Sequence, residues 1–187
     1  YNELLTETKT HSVIVTEAPF ARYENKKNMA EALFEHLGVE SLYITNTSTL
    51  SLYANGKTTG TVVDIGYQTT SFVPIYEGFI LNHAVTKVDT GGKDLTDYFC
   101  HIIGQRPGND KFLNEGQKSM INELKEKICE VAEDYDSQVK KCLDSKTIET
   151  HTLPDGSKVQ IAQEKYQCPE LLFQPQFFAR DHFGLHE

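Results

Sequence analysis

Asp64 and Gly66 flank Ile65 in the stretch Thr59 to Ser71, TGTVVDIGYQTTS, and this pairing of an acid with a glycine turn is the clearest candidate for chemistry in the chain. Val62 and Val63 read as a buried β-branched strand that delivers the Asp64 carboxylate at its end, and Gly66 permits the reversal that starts the next strand. Successive N–H groups of such a turn can cradle an anion, while a carboxylate beside them can hold a divalent cation through water. The same pattern also serves as an ordinary polar hairpin end, so the turn alone does not choose between the two.

The elements that must position this turn are legible from the period of the apolar residues. His11 to Thr16 reads as a buried strand ended by Pro19. From Asn25, Met29, Ala30, Leu33, Phe34 and Leu37 recur at helical spacing up to Gly38. Val39 to Thr45 reads as a second strand and Thr47 to Tyr53 as a short helix, an alternation that predicts parallel strands with helices on their faces. Thr58 to Asp64, Thr69 to Tyr76 and Phe79 to Val88 read as an antiparallel meander. Helices follow over Asp94 to Gly104 and Leu113 to Glu133, then a hairpin over Thr150 to Ile161 around Pro154, Asp155 and Gly156, and a final short helix from Pro169 to Phe173. Tyr1 to Leu5 reads as the tail of a helix cut from its start.

Seven segments carry a resemblance to a known family. TEAPF at Thr16 to Phe20, LSLYANGKTTG at Leu50 to Gly60, PIYEGF at Pro74 to Phe79, DLTDYF at Asp94 to Phe99, LKEKIC at Leu124 to Cys129, LPDG at Leu153 to Gly156 and CPELLFQP at Cys168 to Pro175 stand in the order found in actin. The chain resembles actin along nearly its whole length, with a short insertion between Arg106 and Leu113. The match begins after that family's first phosphate loop and stops before its glycine-rich adenosine segment. The resemblance therefore implies part of an α/β, ribonuclease-H-like fold shared by actin, sugar kinases and heat-shock ATPases. Residues 1–57 would belong to the first subdomain pair and residues 58–187 to a second half cut at its C-terminus. It further implies a cleft between two halves that takes ATP or ADP with Mg, although this stretch alone is expected to bind poorly for want of the opposite wall.

By the same resemblance Asp64 is the acid that helps hold the hydrated metal, and Gly66, Gln68 and Thr69 lie on the turn facing the phosphates. Gly92 falls near the ribose, and Lys125 with Glu126 fall at the ribose and adenine; read without the resemblance, Lys125 and Glu126 are a solvated helix face. Three departures weaken the expected chemistry. Thr47 stands where the family positions its hydrolytic water with a glutamine, and its hydroxyl is about two bonds shorter in reach. Tyr67 replaces the second acid of the phosphate turn, and Asn122 replaces a basic residue near the ribose. Weak or absent hydrolysis is the expectation. The loop after CPELLFQP, which in the family carries an apolar filament contact, retains Phe177 and Phe178 but has Ala179 and Arg180 at its tip. A specialised contact is expected there, or else Phe177, Phe178 and Phe183 fold back on their own domain.

The resemblance implies actin, actin-binding proteins or further copies as partners, in a cytoskeletal and cytoplasmic setting. The alternatives are an active filament-forming ATPase and a scaffold subunit of a nuclear or motor complex; no sugar-binding constellation is visible. Composition sets milder bounds. A net charge of −9 with both signs interspersed argues against a nucleic-acid surface. Cys100, Cys129, Cys142 and Cys168 are widely spaced without a CxxC pair, which reads as reduced thiols rather than zinc ligands or disulfides. No apolar run approaches the ~20 residues that cross a bilayer, and the N-terminus carries no secretory signal pattern, so an intracellular, soluble protein is expected.

Overall fold

The computed structural model describes residues 10–107, 109, 115–145 and 148–187. Residues through Ile65 together with Thr70–Lys87 form one compact unit, and Gly66–Thr69 with Val88–Glu187 form another. The expected helix tail at Tyr1 to Leu5 lies outside the described residues, as does most of the insertion after Arg106.

In the first unit, β1 (Ser12–Glu17) and β2 (Ser41–Asn46) pair in parallel with Ile14 opposite Tyr43. Both of those side chains are exposed, so β1 is not the buried strand its β-branched run suggests; a two-stranded sheet leaves one face open. Between them α1 (Tyr23–Glu31) begins two residues before Asn25 and passes into a π turn over Ala32–His36, closed by Leu37 N–H donating to Ala32 C=O at 3.3 Å. The widened turn rotates Phe34 and Leu37 off a single stripe, and both stay exposed. Asn46 caps α2 (Thr47–Ala54), its side chain accepting the Ser48 N–H at 2.9 Å.

β3 (Gly60–Ile65) and β4 (Thr70–Tyr76) form the antiparallel pair expected, in a register that sets Asp64 opposite Ser71. β5 (Phe79–Ile80) continues the meander through a two-residue turn in which Glu77 and Gly78 both take positive φ, the geometry that suits a twisted hairpin. The third run does not continue as one strand: a 3₁₀ turn at Asn82–Ala84 breaks it, and β6 (Thr86–Val88) pairs again with β4. Leu52, Val73 and Ile75 make the small core, with Val62 half-buried against it. Val63 points the other way and is 51 % exposed, which corrects the expectation that both valines are buried; adjacent strand residues face opposite sides.

The second unit packs α3 (Gly92–Gly104), α4 (Lys118–Ile128) and α6 (Glu164–Glu170) with a hairpin of β7 (Glu149–Thr152) and β8 (Lys158–Ile161). Phe99, Ile103, Ile121, Val159, Ile161 and Cys168 are its sealed core. The long helix expected from Leu113 to Glu133 is shorter, because Cys129 turns extended and Val131 is exposed. Glu130, Glu133 and Asp134 would have stood at a helix C-terminus, where the dipole disfavours anions. Asp134 instead starts α5 (Tyr135–Ser145), which sequence reading did not resolve: its carboxylate accepts both the Ser137 N–H and the Ser137 hydroxyl. The last helix also starts earlier than Pro169, which sits inside α6 rather than opening it. Pro169 has no N–H for the Lys165 carbonyl, and Glu130 N–H donates to that carbonyl at 3.3 Å instead.

Candidate functional site

Residues 66–69 close the β3–β4 hairpin. Gly66 N–H donates to Thr69 C=O at 3.0 Å, which leaves Tyr67 and Gln68, both exposed, to make the reversal. Gly66 is not in the left-handed region; what it supplies is room, since a Cβ there would stand 3.0 Å from the Thr69 carbonyl oxygen. Its amide is committed inside the turn, so of the three positions named from sequence only Gln68 and Thr69 have amides that this bond leaves for an anion.

The loop is held by the chain entering α3. Gly92 N–H donates to Gly66 C=O at 2.9 Å and Lys93 N–H to Tyr67 C=O at 2.7 Å, two backbone bonds that lock the turn against the helix start. Gly91 makes this approach possible. Its φ of −158° is open to any residue, yet a Cβ would lie 2.6 Å from Gly66 O and 2.7 Å from Tyr67 O, both backbone atoms. A Cβ at Gly92 would meet nothing nearer than 3.8 Å outside its own helix. Sequence reading singled out Gly92; the glycine that the geometry requires is its neighbour, and the doublet itself was the available signal.

On α4, Lys125 is half-buried rather than solvated. Its ammonium donates to Gly92 O at 3.1 Å, to Thr96 Oγ1 at 2.9 Å and to Asn122 Oδ1 at 2.9 Å. Asn122 Nδ2 in turn donates to Glu126 Oε1 at 2.7 Å. Thr96 Oγ1 lies 2.9 Å from both Gly92 O and Asn122 Oδ1, and its single proton serves one of them at a time. Lys125, Glu126 and Gly92 are therefore brought together, by Thr96 and Asn122, which sequence reading respectively passed over and treated as a loss. Beside this network lies a cavity of about 350 Å³ bordered by Tyr67, Lys93, Thr96, Asp97, Lys118 and Asn122. Tyr67 contributes no carboxylate to it and is 66 % exposed; Lys118 pairs with Asp97 at 3.2 Å.

Asp64 and Thr47 belong to the other unit. The Asp64 carboxylate is exposed near the end of β3, and Thr47 is the first, half-buried residue of α2, its carbonyl accepting the Ser51 hydroxyl at 3.1 Å. Among the described residues no group of three or more His, Cys, Asp or Glu side chains is placed to hold a metal ion. A lone carboxylate suits a hard cation that keeps most of its water, as Mg does, and it does not make a protein cage.

The segment after α6 folds back on its own unit. A 3₁₀ turn over Pro175–Phe178 places the Phe178 ring 5.5 Å from Tyr98 and the Phe177 ring 6.0 Å from Tyr135, between centroids. Phe183 does not follow and is 79 % exposed. Arg180 has the partner its charge demands: its guanidinium donates to Asp94 Oδ1, while Asp94 Oδ2 accepts the Gly91 N–H at 3.1 Å. Burial, with smaller contributions from Tyr135 and Cys168, pushes the Tyr98 hydroxyl up to about 12. The four cysteines are free; Cys100 and Cys168 are buried, Cys129 and Cys142 half-buried. Among the described residues no helix is long and apolar enough to cross a membrane. With the fold and these contacts in view, comparison with family models gives a match to the one described as Actin, over residues 1–183.

Proposed function

The chain belongs to the actin family, and from that premise we propose that it is a divergent member whose intact form binds ATP or ADP with Mg while turning it over weakly. The observation that carries this reading is the backbone lock of the 66–69 turn onto Gly92 and Lys93, with Lys125 reaching the same helix start at Gly92 O and Glu126 tied to Lys125 through Asn122. A turn fixed by two backbone bonds can present amides to an anion without reorganising, which is the electrostatic condition for holding phosphate. Asp64 would hold the hydrated cation through water, and Gln68 and Thr69 would face the phosphates. Gly92, Lys125 and Glu126 would meet the sugar and base. The bound metal supplies charge neutralisation for the phosphates; the protein supplies position.

Weak turnover follows from Thr47 and Tyr67. Neither the short hydroxyl of Thr47 nor the phenol of Tyr67 substitutes for a glutamine amide or a carboxylate in orienting a water. Assembly or partner contacts, rather than hydrolysis, would then be the working output, in a cytoskeletal setting with actin, actin-binding proteins or further copies. The folded-back Phe177 and Phe178 count against insertion of that loop into a filament, because both rings already pack within their own unit, on Tyr135 and Tyr98.

Mg–ATP calorimetry and single-turnover hydrolysis on the intact protein test this. Binding that weakens roughly 10–100-fold in Asp64→Asn, with hydrolysis that rises in Thr47→Gln, is expected. Absence of any nucleotide affinity, or undiminished hydrolysis that the Thr47→Gln change leaves alone, would overturn it.

A further inference from the structure

Asp94 is shared between two segments that are far apart in sequence. One carboxylate oxygen caps the start of α3 through the Gly91 N–H, and the other takes Arg180 from the segment after α6. The side chain of Asp94 is nearly covered whereas that of Arg180 is partly open to solvent, so a sequestered anion is being held by a cation that solvent and salt can reach. A second tie runs alongside: His182 Nε2 lies 2.6 Å from Thr90 Oγ1, one residue before the glycine doublet, and its Nδ1 lies 2.9 Å from Phe183 O. Phe178 over Tyr98 and His101 fastens the same segment to the body of α3. The segment is thus strapped over the helix start that grips the 66–69 turn.

We propose that Arg180 is a positioning residue: through Asp94 it fixes Gly91 and Gly92, and with them the turn, so that detaching residues 174–184 loosens the candidate site. This rests on the nucleotide reading only for what the site binds. The mechanical coupling stands on the contacts alone. Its logic is reciprocal, since a ligand that needs the turn ordered must favour the strapped state by the factor that strapping favours the ligand. A partner that takes up Phe177 and Phe178 would have to break the Arg180 contact, and would weaken the site as it did so.

Hydrogen exchange followed by mass spectrometry on the whole chain, without nucleotide, tests the coupling. Arg180→Ala should speed exchange in residues 174–184 and also in residues 90–95, each by roughly fivefold, the upper end for a partly exposed ion pair. Arg180→Lys should restore part of the protection in both. Phe183→Ala, at an exposed ring in the same segment, should change neither. Raising NaCl from low to molar concentration on the unmodified chain should reproduce the Arg180→Ala pattern by screening the pair. Faster exchange confined to residues 174–184 would refute the proposal, as would an equal response to Phe183→Ala. Mg–ATP titration of the intact Arg180→Ala protein is a separate arm. Exchange that moves as expected while neither protein binds ATP would sink the nucleotide reading and leave the coupling intact.

Discussion

Replacing Gly91 with alanine should do what replacing Gly92 does not, although the two residues are neighbours in the same glycine doublet. At Gly91 the new Cβ would stand 2.6, 2.7 and 2.8 Å from Gly66 O, Tyr67 O and Tyr67 C, and every one of those atoms is backbone that cannot swing aside as a side chain would. The turn must therefore move away by several tenths of an ångström. Overpacking of that kind costs about 1–3 kcal/mol. The retreat also stretches the Gly92 to Gly66 and Lys93 to Tyr67 hydrogen bonds, now 2.9 and 2.7 Å, at about 0.5–1.5 kcal/mol each. Gly91→Ala should thus lower the stability of this unit by about 2–6 kcal/mol. A Cβ at Gly92 would have its nearest neighbours at 3.8 Å or more, and alanine is the better helix former by about 1 kcal/mol, so Gly92→Ala should be neutral or mildly stabilising. Chemical denaturation of the two variants, with exchange of α3 and α4 amides to assign the transition to this unit, reads both. A Gly91→Ala protein within about 0.5 kcal/mol of the parent, the scatter of ordinary surface substitutions, would refute the claim that the doublet exists to admit the turn. The same variant should lose nucleotide affinity in the intact protein, because the turn it displaces is the proposed phosphate seat.

Lys125→Met keeps the aliphatic stem but removes donors to Gly92 O, Thr96 Oγ1 and Asn122 Oδ1, and should cost about 1–3 kcal/mol by thermal unfolding. Combined with Thr96→Val it should cost less than the sum of the two, since the pair shares one contact. Tyr98 gives a pH signature: burial raises its hydroxyl from 10 to about 12, so the neutral ring contributes stability that is present below pH 10 and is lost as the pH rises towards 12. Absorbance titration should show a late-ionising tyrosine that disappears in Tyr98→Phe or in denaturant. For the thiols, burial together with the nearby Asp97 charge raises Cys100, and contact with the Cys129 sulfur together with burial raises Cys168. Iodoacetamide near pH 8 should label Cys129 and Cys142 first, and early labelling of Cys168 would contradict its placement in the core.

The elements with a clean period were legible: the β3–β4 pair, α2 and the β7–β8 hairpin fall within a residue or two of where the apolar spacing puts them. What misled the reading was continuity. From Met120 to Val131 apolar residues keep helical spacing, yet α4 stops at Ile128, where Cys129 turns extended, and Asp134 caps the start of α5 through Ser137. Pro169 reads locally as a helix opener, and only a distant amide, that of Glu130, makes its interior position tolerable. The two errors differ in origin. The end of α4 is set by a local cap, Asp134 over Ser137, that the unbroken apolar period hides. The partner that decides for Pro169 lies far away in the chain, where neither period nor propensity registers it.

Asn122 shows how the same limit bears on function. Set against the family pattern it counts as a missing cation, and the sequence offers no reason to think otherwise. In place it accepts from Lys125 and donates to Glu126, so two of the proposed nucleotide-facing residues are oriented by the residue that replaced a third. An arginine there would bring charge of its own but no acceptor for the Lys125 ammonium, since a guanidinium only donates. On the nucleotide reading, a basic residue there would meet the ligand directly, where this protein has a Lys125–Asn122–Glu126 chain of contacts. Asn122→Arg should consequently take one of its three acceptors from the Lys125 ammonium, leaving Gly92 O and Thr96 Oγ1, and add a second cation. Tighter Mg–ATP binding in the intact Asn122→Arg protein is the expected result, and unchanged affinity with Lys125 still protected would mean that the chain of contacts is structural and the nucleotide never reaches it.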